Sequence, residues 1–304
     1  MERPVRHQHF IIDKTMIYRI ANNLIELKGL QSEYLAHRLS AYLETDTHTV
    51  PDISVTFKLN NDIKVPEGKD FKRLDTWYWI DREDGYTAIK QHTVTRQTIN
   101  RMDFNKSCTQ VTIEYIDIDG LFIDFSTDRM LHHVLGDAFS FCQTVRGNML
   151  LHSAAASYKG QAVLFSAPSG TGKSTHTSLW KEYYPDDVVL FNDDTPILTK
   201  IGTKLFACGT PWSGKTEINE NMILPLKAIV FLKQAKQNSI RRMTTIESVI
   251  KLLEETRKPV FEDLMEKHIE FINQIIELTP IYELSCNISK EAVDLVKNTI
   301  FTQD

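Results

Sequence analysis

Apolar and polar positions alternate in short bursts through the first 130 residues of the chain. Ile53-Ser-Val-Thr-Phe-Lys-Leu59, Thr76-Trp-Tyr-Trp-Ile80, Tyr86-Thr-Ala-Ile89 and Val111-Thr-Ile-Glu-Tyr-Ile116 each change character at every step or nearly so. A period of two belongs to half-buried strands. Asp119-Gly120 is a hairpin signal and predicts that Leu121–Phe125 returns as a further strand. Residues 13–30 fit a strand or a short helix, whereas residues 31–43 place Tyr34, Leu35, Leu39, Tyr42 and Leu43 near helical spacing. Successive strands joined by short turns imply an antiparallel sheet, so residues 1–128 are expected to form a strand-rich unit.

From residue 129 the period lengthens. Met130, Leu131, Val134, Leu135, Ala138 and Phe141 recur on one helical face, and Arg146-Gly147-Asn148 ends that helix. Met149–Tyr158 reads as one strand, Lys159-Gly160 as a tight turn, and Gln161–Ser166 as the antiparallel partner. A helix over Ser174–Tyr184 stops at Pro185, and Val188–Phe191 is a buried strand. Leu205–Gly209 and Ala228–Leu232 follow as strands. Thr244-Thr-Ile-Glu247 fits a capping box opening a helix with Ile246, Val249, Ile250 and Leu253 inward, stopped by Arg257-Lys258-Pro259. Phe261–Leu278 continues as a helix with Leu264, Met265, Ile272 and Ile276 inward. Ile281–Cys286 is a last strand, and Ser289 caps a final helix, Lys290–Phe301. Strands alternating with helices make residues 129–304 an α/β unit, and the chain α+β overall.

Composition narrows the partners. A chain of 304 residues with 42% hydrophobic content can bury two cores. A net charge of −5 without a basic block argues against nucleic acid as the main partner. Cys108, Cys142, Cys208 and Cys286 are scattered without a paired spacing, which suits reduced thiols rather than a disulfide frame or a zinc site. The N-terminus has no long apolar run behind its charges, and no stretch approaches the roughly 20 apolar residues of a membrane span. The expected location is therefore cytoplasmic. Trp77, Tyr78 and Trp79 are read as aromatics on the two faces of a strand rather than as a binding platform. His7, His9, His92, His132 and His133 lack metal-ligand spacing and are read as surface or helix residues.

One stretch carries chemistry. Ala167-Pro-Ser-Gly-Thr-Gly-Lys-Ser174 fits the phosphate-binding loop pattern, between an apolar strand and a helix. Gly170 and Gly172 permit the backbone angles that turn successive N–H groups towards a phosphate. Lys173 would neutralise the β- and γ-phosphates of ATP, and the Ser174 hydroxyl would ligate Mg²⁺. Ser169 to Thr175 thus form the expected nucleotide-binding set. The neighbouring strand ends in Asn192-Asp193-Asp194, where a metal ligand or a base must sit.

These residues resemble the C-terminal catalytic domain of HPr kinase/phosphorylase and its HPr-kinase-related relatives, which share a nucleotide site with ATP-dependent phosphoenolpyruvate carboxykinases. The likeness rests on Leu151-His152-Ser153, Lys159-Gly160, Ala162–Phe165, Ser169-Gly-Thr-Gly-Lys-Ser174 and Phe191-Asn-Asp-Asp194, and extends more loosely through Gly209–Lys215 and Pro225–Phe231. It implies a P-loop core of that group. It also implies catalytic roles for His152 and Lys173, with Asp193 as the base and Asp194 beside Ser174 as a Mg²⁺ ligand. The Glu-Ile-Arg-Gly-Leu-Gly core that follows the acidic pair in HPr kinases is absent here, and Gly209–Lys215 stands near its place. HPr itself is therefore not the expected acceptor. Lys215, in a turn-rich loop, is a candidate for phosphate charge, its alternative being a solvated loop lysine.

Three functions follow from this reading. The first is an ATP-dependent kinase acting on a serine or threonine hydroxyl, in a peptide or small protein or in a free amino acid. The second is a nucleotide-binding regulator without chemistry, and the third a carboxykinase-like enzyme. The paired acids favour the first, with residues 1–128 recognising the acceptor or forming a homo-oligomer.

Overall fold

The computed structural model describes residues 15–30, 32–46, 49–65, 72–74, 76–92, 94–121 and 125–302. Two compact units result, one of Met1–Arg19 with Asn23–Ala138 and one of Ile20–Asn22 with Phe139–Asp304.

The first unit is built on one sheet. Its elements are β1 (Met16–Ile20), β2 (Asn23–Lys28), α1 (Glu33–Arg38), β3 (Ile53–Leu59), β4 (Lys72–Leu74), β5 (Trp77–Asp81), β6 (Gly85–Gln91), β7 (Thr98–Asn105) and β8 (Gln110–Tyr115). The strand order is β1-β2-β3-β8-β7-β6-β5-β4. Residues 16–28 are thus strands, and the helical span expected over 31–43 is the short α1 plus a 3₁₀ turn at Ser40–Tyr42. Ser32 caps α1, accepting from Leu35 N–H at 3.1 Å. The sheet is mixed, not antiparallel throughout. β4 to β8 form an antiparallel meander, but β3 pairs parallel with both β2 and β8. A period of two marks a strand without naming its neighbour, and here the meander closes back on β3 rather than extending from it.

Trp77 and Trp79 are buried while Tyr78, between them, is half-buried, which is the arrangement of aromatics on a strand. The Asp119-Gly120 turn forms, but Leu121 is still turn, and residues 122–124 at the centre of the expected strand lie outside the described residues, as do His7 and His9. Asp117 and Asp119 instead grip Thr127, accepting from its hydroxyl and its amide at 2.7 Å each, at the start of α2 (Thr127–Val145). On that helix His132 is buried and His133 exposed. Gly147, at φ 76°, ends the segment.

The second unit comprises β9 (Met149–Leu150), β10 (Ser153–Tyr158), β11 (Gln161–Ser166), α3 (Lys173–Tyr183), β12 (Val188–Asn192), β13 (Ile197–Ile201), β14 (Lys204–Cys208), β15 (Ile223–Gln234), β16 (Ser239–Arg242), α4 (Thr245–Glu254), α5 (Glu262–Leu278), β17 (Ile281–Cys286) and α6 (Lys290–Phe301). A nine-stranded sheet runs β12-β10-β11-β15-β14-β13-β9, with β17 on the far half of β15 and β16 on β17. β15 pairs parallel with β11 and β17 at one end and antiparallel with β14 at the other. Alternation along the strands fills two cores. Ala162, Leu164, Ile229 and Phe231 face Leu252, Phe271, Ile272 and Ile275 of α4 and α5. Val163, Phe165, Ala228 and Val230 face Trp180, Val293, Val296 and Ile300 of α3 and α6. Helices on both faces make this a layered α/β unit.

Two expectations change. Met149–Tyr158 is not one strand: it breaks at Leu151-His152, because β9 pairs with β13 while β10 pairs with β11 and β12. On α4 Val249 and Leu253 pack against the core as expected, beside the fully inward Ser248 and Leu252, whereas Ile246 is 74% and Ile250 50% exposed. Ser248 donates its hydroxyl to Thr244 O at 2.8 Å, so a serine fills an inward place and the isoleucine stripe faces outward. The capping box itself is present, Thr244 and Glu247 each bonding the other's backbone. None of the described helices is long and apolar enough to cross a membrane.

Candidate functional site

The glycine loop leaves β11 at Ser166 and enters α3 at Lys173. Ser166 donates its hydroxyl to His152 O at 2.8 Å, tying the loop's root to the break between β9 and β10. Gly170 and Gly172 sit at φ 81° and 110°, and a Cβ at either would meet nothing within 4 Å. Their requirement is therefore conformational, not steric. Ser169, Gly170, Ser174 and Thr175 are exposed at the loop's rim, and Thr171 and Gly172 partly so. Lys173 points the other way. It is 8% exposed, and its Nζ donates to Ala167 O at 2.7 Å. Burial lowers its pKa, and the charges of Glu255 and Asp194 oppose that shift.

Behind the loop, His176 on α3 is buried against the ring of Phe165, and its Nε2 accepts from Trp180 Nε1 at 3.1 Å. Burial pushes its pKa down to about 4.

The acidic pair divides at the end of β12. Asn192 is buried, donates to Thr210 O at 2.9 Å, and accepts from the amides of Asp194 and Thr195. Asp193 turns into the loop that follows β14: it accepts from Gly214 N–H at 2.6 Å, from Thr216 N–H at 3.0 Å, and from the Thr216 hydroxyl. Trp212 anchors that loop by stacking on Phe139, with ring centroids 5.1 Å apart. Lys215 is exposed on it. Asp194 turns away, towards His152. Its Oδ1 lies 3.6 Å from His152 Nε2, and its backbone O accepts from Ser153 N–H at 2.9 Å. Burial raises its carboxyl pKa; Asp193 adds to that, while His152, Lys173 and Arg257 oppose it.

Thus His152 and Asp194 come together, with Lys173 sensing the charge of Asp194, whereas Asp193 is bonded to the loop over residues 210–216 that carries Lys215. Glu255, at the end of α4, joins the first group and was not foreseen. It lies 103 residues beyond His152 and accepts from or shares a proton with the ring's Nδ1 at 2.9 Å. A local signal existed: a carboxylate at a helix C-terminus opposes the helix dipole, so its place calls for another reason. Two cavities flank the site. One of about 380 Å³ is lined by Leu150, His152, Asp194, Thr195, Glu255 and Arg257. The other, of about 600 Å³, lies beside the glycine loop between Thr175, Leu179, Leu232, Gln234, Asn287 and Ile288. Among the described residues no three His, Cys, Asp or Glu side chains converge to hold a metal by themselves.

Residues 129–298 match the family described as SynChlorMet cassette protein ScmC. The chain belongs to this family. The ScmC match runs from α2 into α6 and includes every residue of the site. The motifs resembled HPr kinases, and the family that the whole segment matches is ScmC. No curated protein matches the chain. Among solved structures, the Hpr(Ser) kinase/phosphatase from Coxiella burnetii aligns with a TM-score of 0.30 at 12% identity, covering 49% of this chain and 95% of that one. A likeness at that level assigns this chain neither fold nor activity.

Proposed function

We propose that the chain is an ATP-dependent, Mg²⁺-requiring phosphotransferase whose acceptor is a serine or threonine hydroxyl of a peptide or small protein. The observation that carries this reading is the glycine loop with Lys173 buried at its back, in electrostatic reach of Asp194 and Glu255. A triphosphate would take the N–H groups of Ser169–Thr175, and the N-terminus of the 11-residue α3 favours that charge. The nucleoside would lie in the cavity of about 600 Å³, whose Leu179, Leu232 and Ile288 suit a purine's faces and whose Gln234 and Asn287 suit its edges. The donor chemistry fits Mg²⁺: Ser174 and Asp194 are hard oxygen ligands and few, as for an ion held largely by phosphates and water. When bound, that ion would neutralise charge building on the phosphates.

On the acceptor side, Asp193 would take the hydroxyl proton after Thr216 gives up its bond to it. The Thr216 hydroxyl then holds the place an acceptor hydroxyl would take. Lys215, beside it, would offset charge on the transferring group. The first unit would present the acceptor or join two copies of the chain. One observation favours the other reading, a nucleotide-binding regulator: both Asp193 oxygens are occupied by loop donors.

The test is to incubate the full chain with Mg-ATP and serine- and threonine-containing peptides, followed by mass spectrometry. Phosphate on a hydroxyl, absent with Lys173→Ala, supports the kinase. Nucleotide binding without transfer to any hydroxyl supports the regulator.

A further inference from the structure

His152 sits between two carboxylates of different kinds. On its Nδ1 side is Glu255, whose side chain is 8% exposed, at 2.9 Å; on its Nε2 side is Asp194, 40% exposed, at 3.6 Å. The Glu255 contact is built in from the backbone. His152 N–H donates to Glu255 O at 2.8 Å, and Thr256 Oγ donates to Leu150 O at 2.7 Å. Leu151 and Thr256 form an isolated antiparallel bridge between these bonds. The end of α4 is therefore stitched to residues 150–152, and the stitching delivers a buried carboxylate to one ring nitrogen. Burial of an acid is costly unless a donor satisfies it, and the Nδ1–H is the donor that this geometry provides.

We propose that Glu255 is a positioning residue for the site. Its carboxylate holds the His152 ring with the proton on Nδ1 and directs Nε2 to Asp194 and the cleft beside the glycine loop. The assignment has a chemical consequence. With Nδ1–H engaged by Glu255, Nε2 is the ring nitrogen left facing Asp194 and the cleft. Glu255 touches neither nucleotide nor acceptor in this scheme; it acts through the ring, and its charge also bears on Lys173. Its effect on phosphoryl transfer rests on the function proposed above, whereas its effect on the ring does not.

The experiment uses the full chain labelled with ¹⁵N-histidine, with the His152 signals assigned from His152→Gln. The expected wild-type result is a protonated Nδ1 that exchanges slowly with water. Glu255→Leu should release the ring, so that Nδ1 loses its fixed proton, while Glu255→Gln, whose Oε1 still accepts, should restore it. In the peptide assay with Mg-ATP, Glu255→Leu should lower kcat by about 10–100-fold, the range typical of partners that orient a site's ligands, and leave KM for ATP within twofold. A folded Glu255→Leu chain that keeps the proton on Nδ1 overturns the proposal. So does a wild-type ring protonated only on Nε2, and so does unchanged kcat in a Leu variant whose ring is released. If the wild type transfers phosphate to no hydroxyl at all, the kinase reading fails, and the ring signals alone then decide the role of Glu255. Should Glu255→Leu not fold, the Gln variant decides it: a Gln variant with the proton displaced from Nδ1 contradicts the assignment.

Discussion

Thr216 is joined to Asp193 twice, its amide and its hydroxyl both donating to the same carboxylate oxygen, while Gly214 N–H takes the other. Three donors on one buried carboxylate make Asp193 the latch of the loop over residues 210–216. Asp193→Asn keeps the volume but presents an amide to at least one of these donors. A hydrogen bond to a charged group contributes about 1.5–3 kcal/mol, so the Gly214 and Thr216 amides should exchange with solvent about 10- to 100-fold faster. Hydrogen exchange read by mass spectrometry checks this, and unchanged protection would mean that the loop is held elsewhere, for example by Trp212.

Lys173→Ala should leave the fold intact and remove most turnover. Losing one preorganised charge donor costs about 10²–10³ in kcat, and circular dichroism beside a transfer assay separates this from misfolding. Retained turnover in a folded variant rules out the site.

The cavity beside the glycine loop offers a separable test. Leu179→Trp would fill part of its roughly 600 Å³ with a ring. Affinity for ATP should then fall at least tenfold, while binding of inorganic triphosphate, which needs only the loop, should be unchanged. Equal losses for both would put the nucleoside somewhere else.

Acid should unfold the second unit through two histidines. Burial pushes His176 and His268 from 6.5 down to about 4. Each stays neutral in the fold while the unfolded chain takes up a proton near its ordinary value. Their contribution is therefore complete above about pH 6.5 and is lost as pH falls towards 4, on the order of 3 kcal/mol apiece at the lower limit. Thermal melts between pH 7 and 4 measure it. His268→Leu should flatten the decline, and an unaltered decline would show that other groups drive it.

The glycine loop was readable in the sequence because its backbone geometry is local. Gly170, Gly172, Lys173 and Ser174 lie in one turn, and strand, loop and helix follow each other without a break. The acidic pair was not readable in the same way. Asp193 and Asp194 are adjacent in the chain, yet they point to different partners, and only the loop donors at Gly214 and Thr216 reveal which. Glu255 carried one local signal, an acid at a helix C-terminus, but its partner His152 lies 103 residues away. In the first unit β7 escaped notice because Thr98 and Asn100 occupy inward positions, which hides the alternation that Met102 and Phe104 continue. The parallel pairing of β3 with β8 was invisible for a related reason, since register and neighbour are set by contacts far apart in the chain.

The stitch between residues 150–152 and 255–256 also bears on how the protein is made. Contacts of such long sequence separation close late, because the intervening chain must first lose its freedom. During synthesis the glycine loop emerges and can pair into its hairpin well before α4 exists. Only when residue 256 has left the ribosome can His152 acquire its buried acid. A nascent or truncated chain would then hold the glycine loop without the carboxylate that lies beside His152 in the finished second unit.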